Sequence, residues 1–195
     1  MKRALYMSLA VVLILGMAGI AAAQSSGQPM QTSATGNVDT NPRMSERIVK
    51  EVRHELVMLP QLSVFDNLAY KVDGGTVTLL GQVRNAILKD EAERAVKHIE
   101  GVERVDNQIE ILPASINDDR IRRQVARAIF NQPRLFNYAI QSNPPIHIIV
   151  KNGRVDLEGM VRDQGDKDVA GITANGVPGV FAVQNNLQVE KPSKK

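Results

Sequence analysis

After residue 44 the apolar positions change period in a fixed order. Ile48, Val49, Val52, Leu56 and Leu59 recur at helical spacing behind Ser45, whose hydroxyl suits an N-cap, and Pro60 ends the run. Leu68, Tyr70 and Val72 then alternate with polar residues. Asp73-Gly74-Gly75 supplies the positive backbone angles of a tight hairpin, and Val77, Leu79 and Val83 resume the alternation. Between Asn85 and Glu100 helical spacing returns, with Leu88, Ala92, Ala95, Val96 and Ile99 on one face. Gly101 closes this helix, and Val105, Ile109 and Ile111 form a last strand. The order helix, strand, strand, helix, strand predicts an α+β module in which two helices cover one face of a three-stranded sheet.

The same order is then repeated. Arg47-Ile48, Val52, Pro60 and Leu62 match Arg120-Ile121, Val125, Pro133 and Leu135 at one offset. From Val72 and Val150 onward the copies match at a longer offset, so residues are inserted near 139–145, where Ser142-Asn143-Pro144-Pro145 reads as an added turn. The strands of copy two are marked by Ile146, Ile148 and Val150, by Val155, Leu157 and Val161, and by Val183, Leu187 and Val189. Its second helix is predicted to be short or frayed over 166–176, because Gly165, Gly171 and Gly176 each lower helix propensity by about 1 kcal/mol relative to Ala.

Both copies carry one motif. Val72, Gly75, Val77, Leu79, Gly81 and Val83 lead to Gly101-Val102, Val105 and Asn107; Val150, Gly153, Val155, Leu157, Gly159 and Val161 lead to Gly179-Val180, Val183 and Asn185. This pattern resembles the BON domain, named for bacterial osmotic-stress and nodulation proteins. The resemblance implies two tandem BON modules, at 45–112 and 118–189, in a non-enzymatic periplasmic protein of the osmotically inducible type. It also implies contact with phospholipid surfaces and brings no catalytic residue with it. The six glycines have structural jobs: Gly75 and Gly153 in the hairpins, Gly101 and Gly179 at helix-to-strand turns, and Gly81 and Gly159 at a bulge or a close helix approach.

The start of the chain changes the setting. Lys2 and Arg3 precede an apolar run from Leu9 to Ile20, and Ala21-Ala22-Ala23 supplies small residues for cleavage before Gln24. Residues 1–23 therefore read as a secretory signal, with Ala21, Ala23 and Gln24 at the cut. No cysteine follows, so no lipid anchor and no disulfide is expected. Residues 24–44, rich in Gln, Ser, Thr, Gly and Asn, read as a flexible leader, and 190–195 as a tail. The formal net charge of +3 falls by two when Lys2 and Arg3 leave, which argues against a nucleic-acid partner.

Reactive groups do not converge. His54, His98 and His147 lack the spacing of a helical metal site, and no nucleophile motif or phosphate-binding loop is present. No catalytic residue, metal or cofactor is expected. Asp118-Asp119 reads as the cap of copy two's first helix.

Local chemistry concentrates on that helix. Arg120, Arg122, Arg123, Arg127 and Arg134 face no acidic residue over 120–134, whereas Glu46, Glu51 and Glu55 balance the basic residues of copy one. Arg120, Arg123 and Arg127 share one side with Phe130 beside them, and Arg134, Leu135 and Phe136 follow. A basic stripe bordered by aromatics suits an anionic bilayer, bound peripherally and reversibly. The competing expectation is that the arginines are a solvated face or pair with acids of copy one, and that Phe130, Leu135 and Phe136 are core or inter-module contacts. Exposed strand edges and the leader would instead suit a chaperone or adaptor for envelope proteins.

Overall fold

The computed structural model describes residues 42–141 and 143–190. The signal, its cleavage site, nearly all of the leader and most of the tail lie outside the described residues.

Module one runs α1 (Pro42–Val57), β1 (Asn67–Asp73), β2 (Thr76–Val83), α2 (Ala86–Lys97), β3 (Arg104–Asn107) and β4 (Glu110–Ile111). Module two repeats it as α3 (Ile116–Phe130), β5 (Ile146–Lys151), β6 (Arg154–Val161), α5 (Gln164–Asn175), β7 (Ala182–Asn185) and β8 (Gln188–Val189), with an added turn of helix, α4 (Phe136–Ala139). In each sheet the second strand is central. It pairs antiparallel with the first strand and parallel with the two short pieces that follow the helix. The parallel pairing is what a helix crossover permits.

The alternation is read correctly and the ends less so. Val77, Leu79 and Val83 are fully buried in core one, beneath Ile48 and Val52 of α1 and Leu88, Ala92 and Val96 of α2. Ile121, Val125 and Ile129 of α3 cover Val155, Leu157 and Val161 in the same way. Ser45, however, is not the first cap, because α1 begins at Pro42. Proline suits a first helical turn, where its missing N–H would have had no partner. The last strand is broken in both copies. Asn107 turns its side chain inward, donating to the Lys89 carbonyl at 3.1 Å and accepting from Ile109 N at 3.2 Å. Asn185 does the same with the Lys167 carbonyl at 2.7 Å and Leu187 N at 3.3 Å. The motif asparagine thus ties the break to the second helix.

The glycines do not shorten α5. It has 12 residues, as α2 has, and Asp163 caps it. Gly165 lies in the first turn, a Cβ on Gly171 would come within 2.7 Å of the Asn185 amide, and Gly176 is the C-cap. The propensity cost falls at positions where packing or the cap overrides it. The hairpin turn of copy one differs from expectation too: the positive angle is at Gly74 (φ 58), not Gly75, whose constraint is the nearby Glu103 side chain. In copy two Asn152 and Gly153 both have positive φ, the two-residue turn that matches strand twist. At Gly81 and Gly159 the close approach comes from the neighbouring strand's carbonyls, those of Asn67 and Pro145, rather than from a helix.

The two modules touch. Phe65, just ahead of β1, packs against core two, and Ile148 N in β5 donates to the Val64 carbonyl at 2.7 Å. Arg84 pairs with Asp119 at 3.8 Å, and Lys151 pairs with Glu110. Leu112 in the connector is buried and held by its N–H on the Val83 carbonyl at 2.8 Å.

Candidate functional site

The first turn of α3 is not capped by its aspartates. Ser115 accepts from Asp118 N at 3.2 Å and is the cap. Asp118 is buried, and its carboxylate accepts from Asn152 N and Gly153 N at 2.9 Å each, which pins the helix start to the β5–β6 turn. Asp119 receives Arg122 at 2.7 Å. Arg122 is therefore no part of a free stripe: it is 2% exposed, and its second terminal nitrogen donates to the Val150 carbonyl.

The remaining arginines divide into two groups. Arg120, Arg123 and Arg127 are exposed. Arg120 is spent on Asn117 at 2.9 Å and Gln124 at 3.3 Å, whereas Arg123 and Arg127, four residues apart on one face, have no hydrogen bond or ion pair among the described residues. Arg134 belongs elsewhere. It bridges Asp163 at 2.6 Å and Asp166 at 2.5 Å. Asp166 is fully buried and also accepts from the Tyr138 hydroxyl at 2.5 Å, and that hydroxyl in turn accepts from Arg162 N at 2.9 Å. Burial, chiefly, and the Asp166 carboxylate push the Tyr138 phenol above its ordinary range. The Asp166 N–H, followed by Arg134, holds the Asp163 carboxyl below its own.

The expected membrane-contact residues are therefore dispersed. Leu135 is fully buried in core two and cannot reach a surface, Phe130 is half-buried against that core, and Arg134 is engaged in the network around Asp166. Only Phe136 among the three apolar candidates is exposed, at 54%, and Ile140, four residues on, is exposed as well. What local periodicity missed was the Arg134–Asp163 pairing, since its members are far apart in the chain. The signal was in the repeat: the corresponding pair in copy one is Gln61 and Asn85, which join through their side-chain amides at 3.0 Å. Both partners differ together between the copies.

His147, in β5, lies at the junction of the modules. Burial, chiefly, lowers its pKa from the ordinary imidazole value, against the opposing pull of the Asp66 and Ser63 backbone and the charges of Asp66 and Glu158. Its Nδ1 is buried without a partner. Among the described residues no group of three or more His, Asp or Glu is placed to hold a metal ion, and no helix is long and apolar enough to cross a membrane.

A duplicated two-helix, three-strand module, its edge broken at a motif asparagine, defines the class. Residues 45–113 and 117–191 match the BON domain family, and the chain belongs to it. It is similar along nearly its whole length to osmotically-inducible protein Y of Escherichia coli (strain K12), at 27% identity over 190 residues, covering 93% of this chain and 94% of that protein. Among solved structures, two of CdsD, a structural protein of the type III secretion system of Chlamydia trachomatis, align at 14% identity and a TM-score of 0.27. They cover 74% of this chain and 98% and 94% of their own.

Proposed function

We propose that this is a periplasmic, non-enzymatic protein of osmotic-stress tolerance that associates reversibly with anionic phospholipid at the envelope through α3. The observation that carries the reading is the pair Arg123 and Arg127, exposed on one helical face without partners among the described residues. Each such charge contributes about 1 kcal/mol at an anionic bilayer. Phe136 and Ile140 offer apolar surface for shallow insertion after α3. The contact so drawn is smaller than the 120–136 stripe, because Arg122, Arg134 and Leu135 serve the fold. Similarity to an osmotically inducible protein supports the setting.

Co-sedimentation with phosphatidylglycerol vesicles tests it. Binding is expected to fall about tenfold or more in the double variant Arg123→Glu, Arg127→Glu, and to be absent with phosphatidylcholine alone. Equal binding by the double variant, or none by the parent chain, would sink the reading.

A further inference from the structure

The junction between the modules forms an amphipathic cleft with two connected halves. One half, about 360 Å³, is floored by the margin of core one at Leu56, Leu62, Leu68 and Tyr70 and flanked by Val57. The other, about 490 Å³, is lined by the amides of Gln141, Asn143, Asn186 and Gln188. Arg53 of α1 and Asn143 and Met160 of module two border both halves, so the two adjoin at these residues.

Three features are unexplained by the fold alone. Val57 and Met160, from opposite modules, leave 43% and 46% of their surface exposed in the apolar part. Arg53 is exposed at the seam and has no hydrogen bond or ion pair among the described residues. His147, whose Nδ1 is buried without a partner, lines the same half. In the polar part the one lining carboxylate, Glu158, accepts from the Asn186 amide at 2.6 Å and forms no ion pair with Arg53.

We infer that this inter-module cleft binds a single-chain amphiphile with an anionic headgroup, its acyl chain on the Val57, Leu62, Leu68 and Met160 surface and its headgroup at Arg53 and the amides. The charge at the seam selects the sign of the headgroup, since an unpaired guanidinium is met best by a carboxylate or phosphate. The apolar half is at the small end of ligand cavities, about 300–1,000 Å³, which favours one chain over two. A wholly polar ligand would leave the apolar half wet, and an uncharged hydrocarbon would leave Arg53 and the side-chain amides of Asn143 and Gln188 unmet. This site is separate from Arg123 and Arg127 and does not depend on the vesicle reading.

Calorimetric titration of the purified chain with lauric acid and with lauroyl-lysophosphatidylglycerol, each below its micelle threshold, tests the inference. Saturable binding of one or both at a single site is expected, and which of them binds identifies the source of the headgroup. Val57→Trp and Met160→Trp, which fill the cleft from opposite walls at exposed positions, are expected to abolish binding, and Arg53→Glu to weaken it tenfold or more. The double variant Arg123→Glu, Arg127→Glu is expected to bind as the parent does. No saturable binding of either amphiphile overturns the inference. Undiminished binding by both tryptophan variants does so too, as does a loss confined to the α3 variant.

Discussion

Phe65 and Tyr138 hold the same place in the two copies, yet Phe65 packs against the core of the neighbouring module while Tyr138 is buried in its own. Each lies under an arginine, Arg84 at 5.5 Å from the Phe65 ring and Arg162 at 5.8 Å from the Tyr138 ring. The repeated pair thus does different work: one aromatic joins the modules and the other anchors a polar network.

Phe65→Ala is expected to destabilise the chain by about 2 kcal/mol, below the 3–5 kcal/mol of a fully buried phenylalanine because Phe65 is only half-buried. The more telling outcome concerns cooperativity. Denaturant unfolding followed at module-specific probes should show one transition in the parent chain and two in the variant; coincident transitions in both would count against Phe65 as the coupling residue.

Asp118→Ala removes the acceptor for one buried backbone donor, Gly153 N, and one part-buried donor, Asn152 N, and a loss of about 1–3 kcal/mol is expected, chiefly from stranding the first. Hydrogen exchange supplies a local check. The amides of Asn152 and Gly153 should lose protection in the variant before the centre of β6 does.

Gly159→Ala combines a positive φ of 115 with a Cβ placed 1.9 Å from the Pro145 carbonyl oxygen. Backbone strain alone costs about 1–3 kcal/mol, and relieving the clash requires β5 to move. A melting temperature within experimental error of the parent would show that the strand start yields more easily than its geometry implies.

Stability should also fall with acidification through His147. Because its folded pKa is lowered, the folded and unfolded states bind protons alike well above the ordinary value near 6.5. As the pH falls below that value, the unfolded state protonates first and gains. The destabilisation grows until the lowered folded pKa is reached. Asp66 across the junction and Glu158 on the paired strand β6 reduce the shift without reversing it. His147→Gln should flatten the stability profile on the acid side of neutrality, measured by urea unfolding at matched ionic strength.

What could be read from sequence followed the length scale of each interaction. Val77, Leu79, Val155 and Leu157 declared their faces because alternation is a local property, and Asn152-Gly153 declared a turn for the same reason. The start of α1 was misplaced because Ser45 and Pro42 are both acceptable beginnings, and only tertiary packing chooses. Leu135 and Arg134 resemble a surface cluster in one dimension. Their fates depend on Tyr138, Asp163 and Asp166, which the fold brings near from further along the chain. The cleft at Arg53 was invisible for a related reason, since half its wall belongs to the other copy.

The bond from Ile148 to the Val64 carbonyl also makes the pairing of the two modules asymmetric. A contact between unlike faces of repeated units propagates into an open filament unless something blocks it. In module two the position equivalent to Val64 is Asn137, and it is wound into α4, a helical turn that copy one lacks. The contact is therefore one-directional: module one offers a carbonyl from an open segment, and the same position of module two is closed into a helix.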